Sequence, residues 1–247
     1  IDALFGYGLN RELSYDFKNL IEKLNQIQVP KISIDIPTGL YADKIIEENS
    51  TVFKADFTLT FQFYKRSFLH PETGKFCGKI IVLNIDLDKD FINEIETDYV
   101  VIDEKLIKEI YKPREDFTHK GTFGKSILVG GSYGKMGAIL MSSLSALKTG
   151  SGLTFTIAPE CGNIILQSQI PEAMFIGSGK NYIDKIEIQE KAVYGIGPGL
   201  GKEKQTKKAL FEFLESYNQY VVLDADALNI LAENNKLNLI PKNAVIT

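Results

Sequence analysis

Three stretches of the chain combine permissive backbone with side chains able to do chemistry. KGTFGKSILVGGSYGKMG, from Lys120 to Gly137, sets glycines on both sides of one short apolar strand and just ahead of a helix. Such a turn can present backbone amides to a phosphorylated ligand, or simply satisfy the helix's own first donors. GIGPGLG, from Gly195 to Gly201, directly follows a strand, with Pro198 stiffening its middle and side chains largely absent. A third pair, Gly6 and Gly8, stands at the start and allows the close backbone approach that bulkier residues block. The first of the three is not a P-loop, because GGSYGKMG lacks the Gly-Lys-Ser/Thr ending, and it does not match a dinucleotide fingerprint closely either.

Carboxylates accompany these turns. Asp2 and Asp35 fall at strand ends, and with the Thr38 hydroxyl and nearby carbonyls they can hold a monovalent cation, orient a sugar, or cap turns. Asp224 and Asp226 follow the apolar run YVVL, where two carboxylates need a wet crevice or helix donors. Asn229, one turn further on, suits a ribose hydroxyl, a magnesium-bound water or an amide. His119 beside Lys120 is open to a role as base or anion ligand, or to none.

The elements that must position these groups alternate between strand and helix. Ile1 to Phe5 reads as the tail of a buried strand. Phe17, Leu20, Ile21 and Leu24 recur at helical spacing after a Ser14 cap, and KISIDIP is the next strand. DFTLTFQF and GKIIVLNI are further strands, rich in β-branched and aromatic residues. Glu104 to Ile110 is a short helix before Pro113. Strands then fall at 126–129, 153–157, 192–195 and 220–223, with another beginning at Asn243. Helices are expected at 136–149, 161–169 and 204–217. This succession predicts an α/β chain with mostly parallel sheets covered on both faces. The shift in composition places a first domain at 1–98, a linker at 99–113 and a second domain at 114–247.

Composition narrows the function. A formal charge of −4 and no basic block interleaved with aromatics argue against nucleic acid. Two cysteines, Cys77 and Cys161, and two histidines indicate neither a zinc site nor a disulfide framework. No run of eighteen apolar residues and no leader pattern is present, so a soluble cytoplasmic protein without a membrane partner is expected.

The same motifs carry a resemblance. IDALFGYGL, KISIDIPTGL, KADFTLTFQFYKRSFL and GKIIVLNIDL resemble the carboxyl part of NAD(P)H-hydrate epimerase domains. HKGTFGKSILVGGS, MGAILMSSLSALKTGSGL, PEAM, GIGPGLG and VVLDADALNIL resemble the amino part of NAD(P)H-hydrate dehydratase domains. Their order is that of the bifunctional hydrate repair enzymes. The resemblance implies a Rossmann-like epimerase portion followed by a ribokinase-like α/β portion. It implies epimerisation of R and S hydrated NADH or NADPH, and dehydration of the S form with ADP or ATP and magnesium. It assigns potassium to Asp2 and Thr38. It assigns the hydrated cofactor to Gly6, Tyr7, Gly8, Leu9, Asn10, Arg11 and Glu12, with Asp35 as acidic partner in proton transfer. It places Ala138 and Gly199 along the hydrate site of the second portion, with Asp224 and Asn229 near it. It implies self-association into a homo-oligomer. The dehydratase base and the adenine-binding segments fall outside these residues, so a chain cut at both ends and inactive alone is expected. Two rivals are a ribokinase-like kinase of a small hydroxylated metabolite and a non-catalytic nucleotide-binding protein.

Overall fold

A computed structural model describes Ile1–Thr247, which divides into two compact units, Ile1–Asp103 and Glu104–Thr247. In the first, α1 (Tyr15–Gln26) buries Ile21 completely, with Phe17 and Leu24 packed beside it against Leu13, Phe53 and Ala55. Leu20 stays exposed, so the buried stripe is narrower than its spacing suggests. Ser14 holds the N-cap position without a side-chain bond; its carbonyl accepts from the Lys18 amide instead.

Three parallel strands follow: β1 (Ile32–Ile34), β2 (Phe57–Phe61) and β3 (Lys79–Leu83), in that spatial order. The inward threonines of β2, Thr58 and Thr60, are fully buried; Thr58 Oγ1 donates to the Cys77 carbonyl at 2.7 Å, which satisfies its hydroxyl. Short helices α2 (Pro71–Gly74) and α3 (Lys89–Glu94) flank β3, and Asp88 caps α3 by accepting from Phe91 N. The strand expected at Ile1–Phe5 is not formed. Only Asp2 makes a parallel bridge, to Ser33, and Ile1 and Leu4 are exposed. The Asp2 carboxylate is the reason: it draws in the Leu4 amide and bends the chain off the sheet.

The second unit opens with α4 (Glu104–Ile110), none of whose residues is buried. Its sheet comprises β4 (Lys125–Val129), β5 (Leu153–Ala158), β6 (Met174–Gly177), β7 (Val193–Ile196), β8 (Val221–Leu223) and β9 (Ala244–Ile246). They are all parallel and lie in the order β6-β5-β4-β7-β8-β9. Helices α5 (Met136–Lys148), α6 (Asn163–Gln169), α7 (Lys204–Ser216) and α8 (Ala225–Glu233) provide the crossovers. The run from Cys161 starts as a 3-10 turn, Glu160–Gly162, and becomes α-helical only at Asn163. The chain steps outward from β4 in one direction and returns to its other side with β7, so strand order reverses between these two. Open α/β sheets bind ligands at such a reversal, beyond the carboxyl ends of the strands.

Packing holds that frame. Tyr194, Phe213 and Tyr217 form an aromatic cluster with ring centroids 4.8 to 5.0 Å apart. The buried Tyr194 hydroxyl accepts from Gln189 N and donates to the Glu187 carbonyl. Burial pushes the phenols of Tyr194 and Tyr217 above their ordinary range. No helix is long and apolar enough to cross a membrane.

Candidate functional site

In the first unit, the turn after β1 gathers Asp2, Gly6, Tyr7, Asp35 and Thr38. Asp2 is buried and accepts on both oxygens: Oδ1 from Thr38 Oγ1 at 2.6 Å and Leu4 N at 3.4 Å, Oδ2 from Thr38 N at 2.8 Å and Ser33 Oγ at 3.2 Å. A carboxylate offers about four acceptor positions, and protein donors meet all of them. Thr38 Oγ1 also accepts from Phe5 N at 3.3 Å, so the network pins the start of the glycine turn. Nowhere do three or more His, Cys, Asp or Glu side chains gather as a metal site. The potassium ion that the resemblance assigns to Asp2 and Thr38 would have to displace the Ser33 and Thr38 hydroxyl donors, both of which are free to rotate.

Asp35 ends β1 in a left-handed conformation, φ 64°, that a residue with a side chain adopts only at a cost. The next strand shows the same feature at its end, Gln62 with φ 60°. The Asp35 carboxylate is pulled in two directions. Oδ1 faces Lys65 Nζ at 3.1 Å, Thr60 Oγ1 and Phe61 N, while Oδ2 accepts from Tyr7 N at 3.3 Å. A Cβ on Gly6 would stand 3.3 Å from Oδ2, a tight contact that the carboxylate would have to relieve by shifting a few tenths of an ångström. Of the remaining turn residues, Leu9 donates its amide to the Gly6 carbonyl, and Tyr7, Gly8, Asn10, Arg11 and Glu12 are exposed. Arg11 and Glu12 line a cavity of about 230 Å³ with Leu13, Lys18, Tyr41 and Glu47. Within it Glu12 pairs with Lys18 at 2.9 Å; that bond lowers the Glu12 carboxyl and raises the Lys18 amine from their ordinary values. Sequence reasoning missed Lys65. It lies in the KADFTLTFQFYKRSFL run, but nothing in its spacing marks it as a partner of Asp35.

In the second unit, both glycine turns sit where strand order reverses. The turn after β4 and the turn after β7 touch: Gly131 N donates to the Pro198 carbonyl and Ser132 Oγ to the Gly199 carbonyl, each at 2.9 Å. Gly199, at φ 64°, packs on the start of α5. A Cβ there would meet the Lys135 carbonyl at 2.5 Å and the Ala138 Cβ at 3.3 Å. Ala138 and Gly199 are thus brought together.

Most of the amides expected to face a ligand are turned inward. Those of Gly130, Gly131, Tyr133 and Lys135 bond to protein carbonyls, as do those of Gly197 and Leu200. Asp226 Oδ2 accepts from Gly201 N at 2.9 Å, so α8 anchors the far end of the second turn. Asp224 is the N-cap of α8 and accepts from Ala225 N, while Ala225 takes a left-handed φ of 45°. Asn229 is exposed, and His119 closes a local turn by accepting from Gly121 N. The two carboxylates after YVVL therefore serve helix and turn donors, one of the two roles their positions allow.

This architecture defines the class: a Rossmann-like α/β unit followed by a ribokinase-like α/β unit. Residues 1–67 match the family described as YjeF-related protein N-terminus, and residues 126–247 match NAD(P)H-hydrate dehydratase. Both matches fall, in the same order, within single curated relatives. The bifunctional NAD(P)H-hydrate repair enzyme of Dictyoglomus turgidum is 31% identical over 94% of this chain and 48% of its own length. That of Coxiella burnetii is 33% identical over 95% of this chain and 48% of its own. The chain is similar to these bifunctional enzymes along nearly all of its own length, and spans about half the length of the relatives it matches. Among solved structures, a ribokinase-like superfamily protein from Enterococcus faecalis superposes with a TM-score of 0.50, at 25% identity, over 62% of this chain and 56% of its own. A hypothetical protein from Streptococcus mutans does so at 0.52, with 30% identity, over 60% of this chain and 54% of its own.

Proposed function

We propose that the full-length protein repairs hydrated nicotinamide cofactors, epimerising R and S NAD(P)H hydrate in the first unit and dehydrating the S form in the second. The observation that carries this reading is the joining of the two glycine turns at the strand-order reversal, with Ala138 against Gly199. In the first unit the hydrate lies along Gly6 to Glu12, and Asp35 Oδ2, the oxygen turned to that turn, takes part in proton transfer. No step is routed through potassium; Asp2 and Thr38 hold the turn in shape. In the second unit Gly199 and Ala138 shape the wall against which the hydrate rests, with Asp224 and Asn229 at its edge. ADP or ATP supplies the phosphoryl group. Magnesium, when bound with the nucleotide phosphates, would supply charge neutralisation for the transfer. A cytoplasmic homo-oligomer completes the reading.

The test supplies the full-length protein with mixed epimers of hydrated NADH, magnesium, and ADP or ATP, and follows the return of reduced-cofactor absorbance. Complete conversion supports both activities. Conversion of only the S fraction removes the epimerase. Phosphorylation of a different hydroxylated metabolite with no return of absorbance overturns the proposal in favour of a kinase.

A further inference from the structure

Lys65 is held more tightly than any other lysine near the first site. Its Nζ stands 3.1 Å from Asp35 Oδ1, 3.0 Å from the Phe61 carbonyl and 3.4 Å from the Phe63 carbonyl. An ammonium has three protons and no lone pair, so these three acceptors use all it has to give. Both partners are largely withdrawn from solvent, the lysine side chain being 12% and the aspartate 15% exposed. Compare Lys18 and Glu12, the other ion pair of this region, at 38% and 70% exposure. A desolvated pair in fixed geometry constrains its members far more than a solvated one.

The anchor points are themselves rigid. The Phe61 carbonyl closes β2, immediately before Gln62, whose left-handed backbone reverses the chain and delivers Lys65 back over the sheet end. Asp35 occupies the equivalent left-handed position at the end of β1. Its amide donates to the Leu59 carbonyl at 2.8 Å, which fixes its backbone to β2 as well. Adjacent strand ends thus each carry one unfavourable backbone residue, and the ion pair joins them. Residues kept in such conformations mark places where position matters more than stability.

We propose that Lys65 is a positioning residue of the epimerase site. Held by two main-chain carbonyls, it takes Asp35 Oδ1 and leaves Oδ2 aimed at the Gly6–Tyr7 turn. The inference rests on the reading of that turn as the hydrate site. It assigns the working face of Asp35 to Oδ2 and excludes Lys65 from direct contact with substrate.

The experiment measures both reactions in the full-length protein bearing Lys65→Met or Lys65→Arg. Lys65→Met removes the cation at 3.1 Å and leaves Oδ1 only the long bonds, 3.4 Å each, from Thr60 Oγ1 and Phe61 N, so kcat for epimerisation should fall about tenfold or more while KM changes by less than about threefold. Lys65→Arg, which keeps a donor-only cation on the same carbonyls, should recover kcat to within about fivefold of the unmodified protein. Dehydration of the S form, carried out by the other unit, should be unchanged in both. Epimerisation by Lys65→Met at the unmodified rate, or a rise in KM with kcat preserved, overturns the inference. Should Lys65→Met fail to fold, seen as loss of the first unit's transition in thermal unfolding, Lys65→Arg decides: epimerisation kcat lost by more than about a hundredfold in a protein that keeps that transition overturns it. If the unmodified protein dehydrates the S form but does not epimerise, the reading of the first site fails, and the inference falls with it.

Discussion

The Ser132 hydroxyl donates to the Gly199 carbonyl across 2.9 Å, and this bond joins the turn after β4 to the turn after β7. The two turns are distant in sequence but neighbours in space, because β4 and β7 pair directly where strand order reverses. The wall assigned to the hydrate is therefore a shared structure, and a change on either turn is felt by the other.

Gly199 is the least replaceable part of that wall. Its φ of 64° disfavours any side chain, and a Cβ would press on the Lys135 carbonyl at 2.5 Å. Gly199→Ala should cost about 2 kcal/mol or more of stability, combining backbone strain with overpacking. Ser132→Ala should cost only about 1 kcal/mol, the worth of one ordinary hydrogen bond. Thermal unfolding of both variants checks the order, and dehydration of the S hydrate should fall further in Gly199→Ala. Equal midpoints for the two would remove the steric argument.

Asp226 acts on the same turn from α8. Its Oδ2 accepts from Gly201 N at 2.9 Å, and Gly201 is itself buried. Asp226→Ala leaves that amide without a partner, a loss of about 1 to 3 kcal/mol. Asp226→Asn retains a carbonyl oxygen that can accept the same bond, so it should keep most of the stability. Denaturant midpoints for the pair separate a role as acceptor from a role as charge: if both lose equally, the charge matters and the geometric reading is wrong.

At Asp2 the donors themselves discriminate between acid and amide. Both Oδ atoms receive one backbone N–H, from Leu4 and from Thr38, in addition to one hydroxyl. Hydroxyls can rotate away from a new donor, but backbone amides cannot. Either orientation of Asn at position 2 then sets its NH₂ against an N–H. Asp2→Asn should destabilise the first unit by about 1 to 3 kcal/mol despite identical shape. Circular dichroism melting of the variant checks this, and a melting curve identical to the unmodified protein would dissolve the network as described.

Much of this was legible in the residues. The alternation of apolar runs with glycine turns set out parallel sheets, and the GIGPGLG run stands at a strand end where strand order reverses. What was illegible has physical causes. β6 is a four-residue strand, MFIG, entered from Pro-Glu-Ala and too short to show a period. The strand expected at Ile1–Phe5 has suitable side chains, but a buried carboxylate at its second position captured the following amide. The glycine turns suggested free amides, whereas most are consumed by carbonyls that only the fold brings near. Lys65 could not be found by pattern, because its partnership with Asp35 arises from two adjacent strands ending in the same unusual backbone conformation.

Cys77 extends the reasoning to pH. Its side chain is fully buried beside Ile36, Leu40 and Phe68, and burial pushes the thiol from 9.0 up to about 12. The folded state therefore holds this proton more tightly than the unfolded chain does. By linkage, the stability tied to the neutral thiol is fully present below about pH 9 and is lost progressively as pH rises toward 12. The raised phenols of Tyr194 and Tyr217 act with the same sign at higher pH. Two measurements separate the thiol from the phenols. Urea midpoints should fall between pH 8 and 10.5, and less steeply in Cys77→Ala, which has no thiol to ionise. Iodoacetamide at pH 8 should modify Cys161, which is half-buried, and spare Cys77 until the protein unfolds, because the thiolate is the reactive form. Alkylation of Cys77 in the native protein at the rate of Cys161 would show that the pocket around it opens freely, and the expected alkaline loss of stability would go with it.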